Sequence, residues 1–588
     1  MVTKGQVGAF YRSNGNAYGA NLGATLASES VSLTYSGSTA QADNYHAAKD
    51  FKTAGASLGR DWLDGDVVGS SRYKSENQEF GVALRHDNHL VELKVAIQDI
   101  PYEGFPNQRM DLTDNTNTNV NLRYTGQYQW GSLETRVYHQ KTDHSMNFGD
   151  DKQFWYGPNP PNMIVAPGMP MNAEGKTAGA LIQGDIVLSE RDTLRIGGEI
   201  QDYQLNDWWP SSPSVLPPGY MVGGMAPNTF WNINNGRRDR LGVFSEWEAR
   251  WSPQWLSLLG VRSDMVRTNT GDVQGYNNMM MNQLSDSTRF NSTDRERTDQ
   301  NWDLTALARF TPNATQSFEA GYAQKTRSPN LYERYTWSTA SMMMVMNNFA
   351  GDGNGYVGDI HLKPEVAHIL SATANWHDAD KEQWGLKATP YYTFVQDYID
   401  AQRCPVGINC YSAANTSATT GFVNLQYVNQ NARLYGMDLS GHVFLGKTDY
   451  GNFTATGLLG YTKGENQKTN DNLYNIMPLN AKLAVVHQLN GWTNTAEVQM
   501  VADKTHVSQT RNEVQTGGYS LLNVRSSYTW KNVRLDVGIE NLFDRYYASP
   551  LGGAYVGQGM TMGINSVPWG IPVPGMGRSI NTALNVAF

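Results

Sequence analysis

The chain has 588 residues, with 46 Lys+Arg against 55 Asp+Glu (net charge -9), 40% apolar residues, 11% aromatics and 57 Gly. A mean hydropathy of -0.51, with no apolar run of about eighteen residues, excludes a helical membrane protein. The acidic balance argues against a nucleic-acid partner, whose phosphates require a basic surface. This length would suit roughly four soluble domains. No linker or composition shift divides the chain, so a single domain over residues 1–588 is expected.

The opening Met1 to Ser13 lacks a charged start followed by an apolar run, so no signal peptide is expected there. From Val7 onward apolar residues recur at every second position. Phe80, Val82 and Leu84 share one face, a polar turn falls at Asp87-Asn88, and Val91, Leu93, Val95 and Ile97 continue that face with Glu92, Lys94 and Gln98 opposite. This is a hairpin with one apolar and one wet side. The pattern returns in TLRIGGEI, in Leu522, Val524, Tyr528 and Trp530, and in Val533, Leu535, Val537 and Ile539 opposite Arg534, Asp536 and Glu540. The last strand, GRSINTALNVAF, sets Ile580, Thr582, Leu584, Val586 and Phe588 against Asn581, Ala583, Asn585 and Ala587. An apolar face ending in a terminal aromatic, backed by a small and polar one, suits a wall between lipid and water.

Short turns such as LNGW alternate with long connections such as Phe148 to Lys176 and Trp208 to Arg237. That asymmetry predicts an all-β fold: a large transmembrane antiparallel β-barrel with short periplasmic turns and long extracellular loops, of about twenty-two strands. A large porin and a soluble propeller are the competing architectures, but no repeat of roughly 40 to 50 residues is visible for a propeller. The first strand, near Val7 to Ser13, is expected to pair with the last, beside Phe588. A lumen of that size is wider than side chains can fill, so it is open unless loops fold inward.

Cys404 and Cys410 lie in a Pro-, Gly- and Asn-bearing segment, RCPVGINC. In an oxidising envelope a disulfide staple is the commoner use of such a pair, and soft metal ligation the rarer. Four methionine clusters stand out: Met163, Met169 and Met171; Met221 and Met225; Met279, Met280 and Met281; Met342, Met343, Met344 and Met346. Thioethers suit weak capture of a soft metal and also suit flexible apolar packing. The two uses stand level for the Met342 cluster, and packing is the expectation elsewhere. No Gly-x-Ser-x-Gly, His-Glu-x-x-His or phosphate loop occurs, so the protein is not expected to be an enzyme.

The text KTRSPNLYERY followed by GNGYVGDIHLKPEVAH resembles the mid-barrel signature of TonB-dependent outer-membrane receptors, carried here by Arg327, Pro329, Glu333, Leu362, Pro364 and Glu365. NARLYGMDLSG, GIENLFDRYY and GRSINTALNVAF resemble later strands of that family, so the likeness runs from Lys325 to Phe588. It implies a 22-stranded, monomeric barrel in the Gram-negative outer membrane, set among outer-membrane lipid and lipopolysaccharide. It also implies high-affinity uptake of a scarce nutrient and coupling to the TonB complex through an N-terminal plug. The opening VTKGQ resembles the end of a plug running into the first strand, so a barrel lacking its plug is expected.

YHQKTDHSMNF, YTWSTASMMMVMNNFAGDGNGY, PLGGAYVGQGMTMG and IPVPGMGRS are most similar to the copper-receptor branch of the family. There a His-x-Met pair on the wall completes a copper site, and the matching positions are His144 and Met146. Imidazole and thioether select copper, Cu(I) above all, and residues i and i+2 of a strand share a face. Two alternatives remain open. The first is a ferric-siderophore receptor gripping its chelate with loops such as NDWWPSSPS and KQFWYGPNPPN. The second is a plugless passive channel.

Overall fold

The computed structural model describes residues 2–52, 63–149, 151–152, 155–156, 164–165, 168–212, 225–278, 282–557, 564–565 and 567–588. Met163, Met221 and Met279 to Met281 fall outside this set, as does most of WYGPNPPN. Among the described residues one sheet holds 23 strands. The three-residue strand Gly355–Val357 joins it in parallel from a connection. The other 22 are antiparallel and close the barrel.

Closure follows the expected seam. Gln6 to Arg12 pairs with Ala587 to Asn581, and Gly5 and Phe588 exchange two backbone hydrogen bonds of 2.8 Å. Side chains alternate as the sequence does. Phe80, Leu84, Val137 and Val243 stand exposed on the outside, where lipid covers them. The inner face carries ion pairs such as Lys94–Glu79 (3.3 Å) and Arg123–Glu134 (2.7 Å), which a watery lumen tolerates.

The two rims differ. On one, tight turns such as Asp87-Asn88 and Lys531-Asn532 use a left-handed first residue (φ 49° and 53°). Val2 pairs with Ala27 beside such a turn, so both chain ends lie at this rim. On the other rim the connection 328–364 acts as a hub. Its segment 347–357 meets loops from round the mouth: Arg109 donates to the Gly353 carbonyl (2.9 Å), Asn354 to Arg511 O (2.8 Å), Tyr474 to Ala350 O (3.1 Å), and Ala554 N to Gly351 O (3.0 Å). Gly351 and Gly353 hold φ of 75° and 77°, and a Cβ on the latter would run into the Phe422 ring. The wide lumen is thus crossed at its mouth by loops folded inward.

The outer band makes a prediction. Val243 stands in the hydrocarbon zone, so Val243→Arg should lower barrel stability by about 2–4 kcal/mol. Six residues up the same face of its strand the native side chain is already an arginine, Arg237, above that zone. Urea titration followed by heat-modifiable gel migration reads the difference.

Candidate functional site

Under the hub lies one apolar cluster fed by many elements. Among the described residues it holds eight methionines: Met110, Met146, Met169, Met171, Met225, Met342, Met343 and Met346. Aromatic rings wedge between them. Phe230 stacks with Trp209 (centroids 4.5 Å) and with Trp337 (4.9 Å), and Tyr276 stands 5.4 Å from it.

Strand Gly131–Asn147 carries both His144 and Met146 near its upper end. Val137 faces lipid, so the even positions 144 and 146 face the lumen. Met146 is buried and sits in register with Met171 on the next strand. Asn147 turns the chain out and back in, its Oδ1 accepting from the Phe148 and Met169 amides (2.8 Å each). His144 is half-buried, with Nδ1 3.2 Å from Asn115 Oδ1. Burial pushes the imidazole's pKa down, and the charge of Asp114 offsets this in part. A neutral imidazole is the form that binds a metal.

The Met342 group is divided. Helix Ser341–Met346 sends Met342, Met343 and Met346 into the large cluster. Met344 packs instead with Val357 and with Cys404 and Cys410, which are joined by a disulfide (S–S 2.07 Å). Met169 and Met225 join from other connections, Met171 from the start of strand Met171–Val187, and Met110, in no cluster of the sequence, from 104–110. Among the described residues no group of three His, Cys, Asp or Glu converges to hold a metal.

The signature residues turn out to brace the hub at its root. Arg327 pairs with Glu333 (2.9 Å) and Glu365 (2.8 Å), and Glu333 closes a capping box with Asn330. Arg334 is buried, its Nη2 shared between both Asp299 oxygens (2.8 and 2.9 Å) and the Leu362 carbonyl (2.9 Å). At the far end Arg511 meets Asp400 at 2.6 Å and the Tyr356 hydroxyl at 3.2 Å.

Asp207 carries no mark in the sequence. Its carboxylate is buried beside the cluster and accepts from Trp209 Nε1 and Asn232 Nδ2 (2.8 Å each), while Asn232 exchanges hydrogen bonds with Asn347 of the hub. It lies seven residues above Ile200, roughly 20 Å beyond the lipid-facing band.

Residues 3–542 match the family described as "TonB dependent receptor-like, beta-barrel". The chain belongs to that family. TonB-dependent receptors are transport proteins of the Gram-negative outer membrane, not enzymes; they bind metals or metal chelates and interact with TonB. The copper transporter OprC superposes with a TM-score of 0.77 at 18% identity, covering 100% of this chain and 83% of that one. The FrpB iron transporter from Neisseria meningitidis gives 0.66 at 14%, covering 100% and 82%. Heme/hemopexin utilization protein C of Haemophilus influenzae is 29% identical over 253 residues. That match takes in 39% of this chain and about a third (33%) of the relative's length.

Asp207 reaches the hub that lids the mouth through Asn232, which is hydrogen-bonded to Asn347. Burial pushes its pKa up to about 6, with the hydrogen bonds from Asn232, Trp209 and Tyr332 opposing. As pH rises from about 4 the unfolded segment loses its proton first, so the folded one binds more protons and loses stability until about pH 6. The stabilisation present below about pH 4 should fall by on the order of 2–3 kcal/mol across this window. Hydrogen exchange of residues 338–348, corrected for intrinsic rates, should accelerate accordingly, and Asp207→Asn should flatten the profile.

Proposed function

We propose that this receptor takes up a scarce metal across the outer membrane, with copper as its preferred cargo. The observation that carries the reading is the convergence of eight thioethers at the mouth, with His144 on the lumen face of the strand that supplies Met146. Soft sulfur and neutral imidazole favour Cu(I) over hard cations. The likeness to OprC in fold is consistent with this. The thioethers pack the lid and also offer an entering soft ion successive weak partners, with His144 and Met146 the strongest pair. TonB coupling, monomeric state and a single barrel domain are parts of the same proposal.

The test is copper retained by the purified chain after Cu(I) loading and dialysis. His144→Gln with Met146→Leu removes both donors while keeping side-chain volume, which limits the cavity cost of a buried substitution. Copper affinity should drop at least tenfold in the double variant. Equal retention by the two proteins would remove the assignment.

A second reading is an iron chelate or haem as cargo. It is favoured by the likeness to the heme/hemopexin utilization protein and by aromatic residues in the mouth loops, such as the Trp208–Trp231 pair (6.0 Å). Haem titration would show a shifted Soret band under this reading and none under the first.

A further inference from the structure

The inner wall beneath the hub holds two neighbouring donors that meet no acceptor. Ile200 and Leu241 stand exposed to lipid, so Tyr203 on strand Asp192–Trp209 and Arg238 on strand Phe230–Arg250 point into the lumen. The pairings Gln201↔Arg240 and Gln204↔Arg237 set these two side by side. On its other flank Arg238 is in register with Thr268, whose buried hydroxyl oxygen accepts from Arg334 Nη1 (2.8 Å) and from the Tyr335 hydroxyl (2.9 Å). Helix Leu331–Tyr335, the root of the hub, thus roofs Arg238 and leaves it half-buried.

The contrast with the surrounding wall is sharp. The lumen-facing cations Arg195, Arg240, Arg262, Arg309, Lys325 and Arg327 on these and the adjoining strands each meet a carboxylate, at 2.6 to 3.5 Å. Among the described residues neither the Arg238 guanidinium nor the Tyr203 hydroxyl has a hydrogen-bond partner. The carboxylates around Arg238 are committed elsewhere: Glu199 holds Arg240 (2.6 Å) and Arg262 (3.0 Å), and Asp299 holds Arg334 (2.8 Å). Arg240, Arg327 and Arg334 add like charge, which Asp299 offsets only in part. An uncompensated, half-buried guanidinium costs stability, so packing alone gives no reason for an arginine here.

We infer that Arg238 and Tyr203 form a binding site for a small organic carboxylate. The planar fork of the guanidinium takes both carboxylate oxygens, and the phenolic O–H adds a third donor. Tyr203 and Tyr332 border the apolar cluster, so the body of the ligand meets aromatic surface. A phosphate, with a third oxygen and a second charge, finds too few donors in this pair. The carboxylate belongs either to a free acid or to a metal chelate, and only the second source rests on the uptake reading above.

The test is calorimetric titration of the detergent-purified chain, in chloride-free buffer, with benzoate, benzamide and benzylphosphonate. Benzoate should bind at least tenfold more tightly than the uncharged amide and at least fivefold more tightly than the phosphonate. Arg238→Gln should lose at least tenfold of the benzoate affinity and Tyr203→Phe about threefold. Heat-modifiable migration should be unchanged in both, since neither side chain holds a partner. Haemin against its dimethyl ester then identifies the source. A chelate-borne carboxylate gives the free acid at least a tenfold advantage that Arg238→Gln abolishes, and a free acid as ligand leaves haemin and ester equal. Strands Met171–Val187 and Asp192–Trp209 lie between Arg238 and the strand of His144, so copper retention by Arg238→Gln should match the native chain, and the two sites fail or stand separately. Native benzoate affinity in Arg238→Gln, or equal binding of benzoate and benzamide by the native chain, would overturn the inference.

Discussion

Everything in this molecule follows from the cost of an unpaired backbone amide or carbonyl in hydrocarbon, several kcal/mol for each. A sheet meets that constraint only by closing on itself, so the pairing of Gln6–Arg12 with Asn581–Ala587 supports the whole wall and not only its own two strands. Closure at twenty-two strands then sets the second problem. The lumen is too wide for wall side chains to fill, and control of what enters passes to the loops.

Those loops carry irregular backbone toward the centre of the mouth, where each polar group again needs a partner. The chain supplies Asn side chains, Arg guanidinia and left-handed glycines. Asn354 accepts from the Val423 amide and donates to the Arg511 carbonyl, satisfying two loops at once. Buried pairs such as Arg334–Asp299 and Lys504–Glu513 gain little over apolar packing. Breaking one partner is costly, however, so each holds its own connection in a single position. The Arg327, Glu333 and Glu365 signature belongs with this group.

The wall was legible because period two is a local signal: Phe80, Val82 and Leu84 face lipid where the alternation put them, and the seam at Phe588 closes as its last strand implied. The mouth was legible only in part. Clusters of methionine can be counted along a chain, but which of them meet is a matter of contacts between loops hundreds of residues apart. Met110 carries no local mark yet is as central as Met343, whereas Met344, its neighbour in sequence, turns to the Cys404–Cys410 disulfide because successive helical residues face different ways. Asp207 reads in the sequence as one more loop carboxylate. Only its burial beside Trp209 and Asn232 gives it a perturbed proton.

Packing and metal capture were alternatives for the methionines when only their spacing was known, and the structure makes them one question. A thioether at full burial has its sulfur in van der Waals contact on every side, so an ion reaches it only where a neighbour gives way. Met342, Met343 and Met346 sit on the hub, while Met146 and Met171 sit on the rigid wall. A ligand that binds wall sulfurs better with the hub displaced shifts the lid by the difference in its affinity for the two arrangements, and by no more. Under the copper reading, cargo and gate are therefore coupled through the same side chains, and the adaptable, weakly directional thioether suits both roles where a rigid carboxylate or imidazole cluster would suit one.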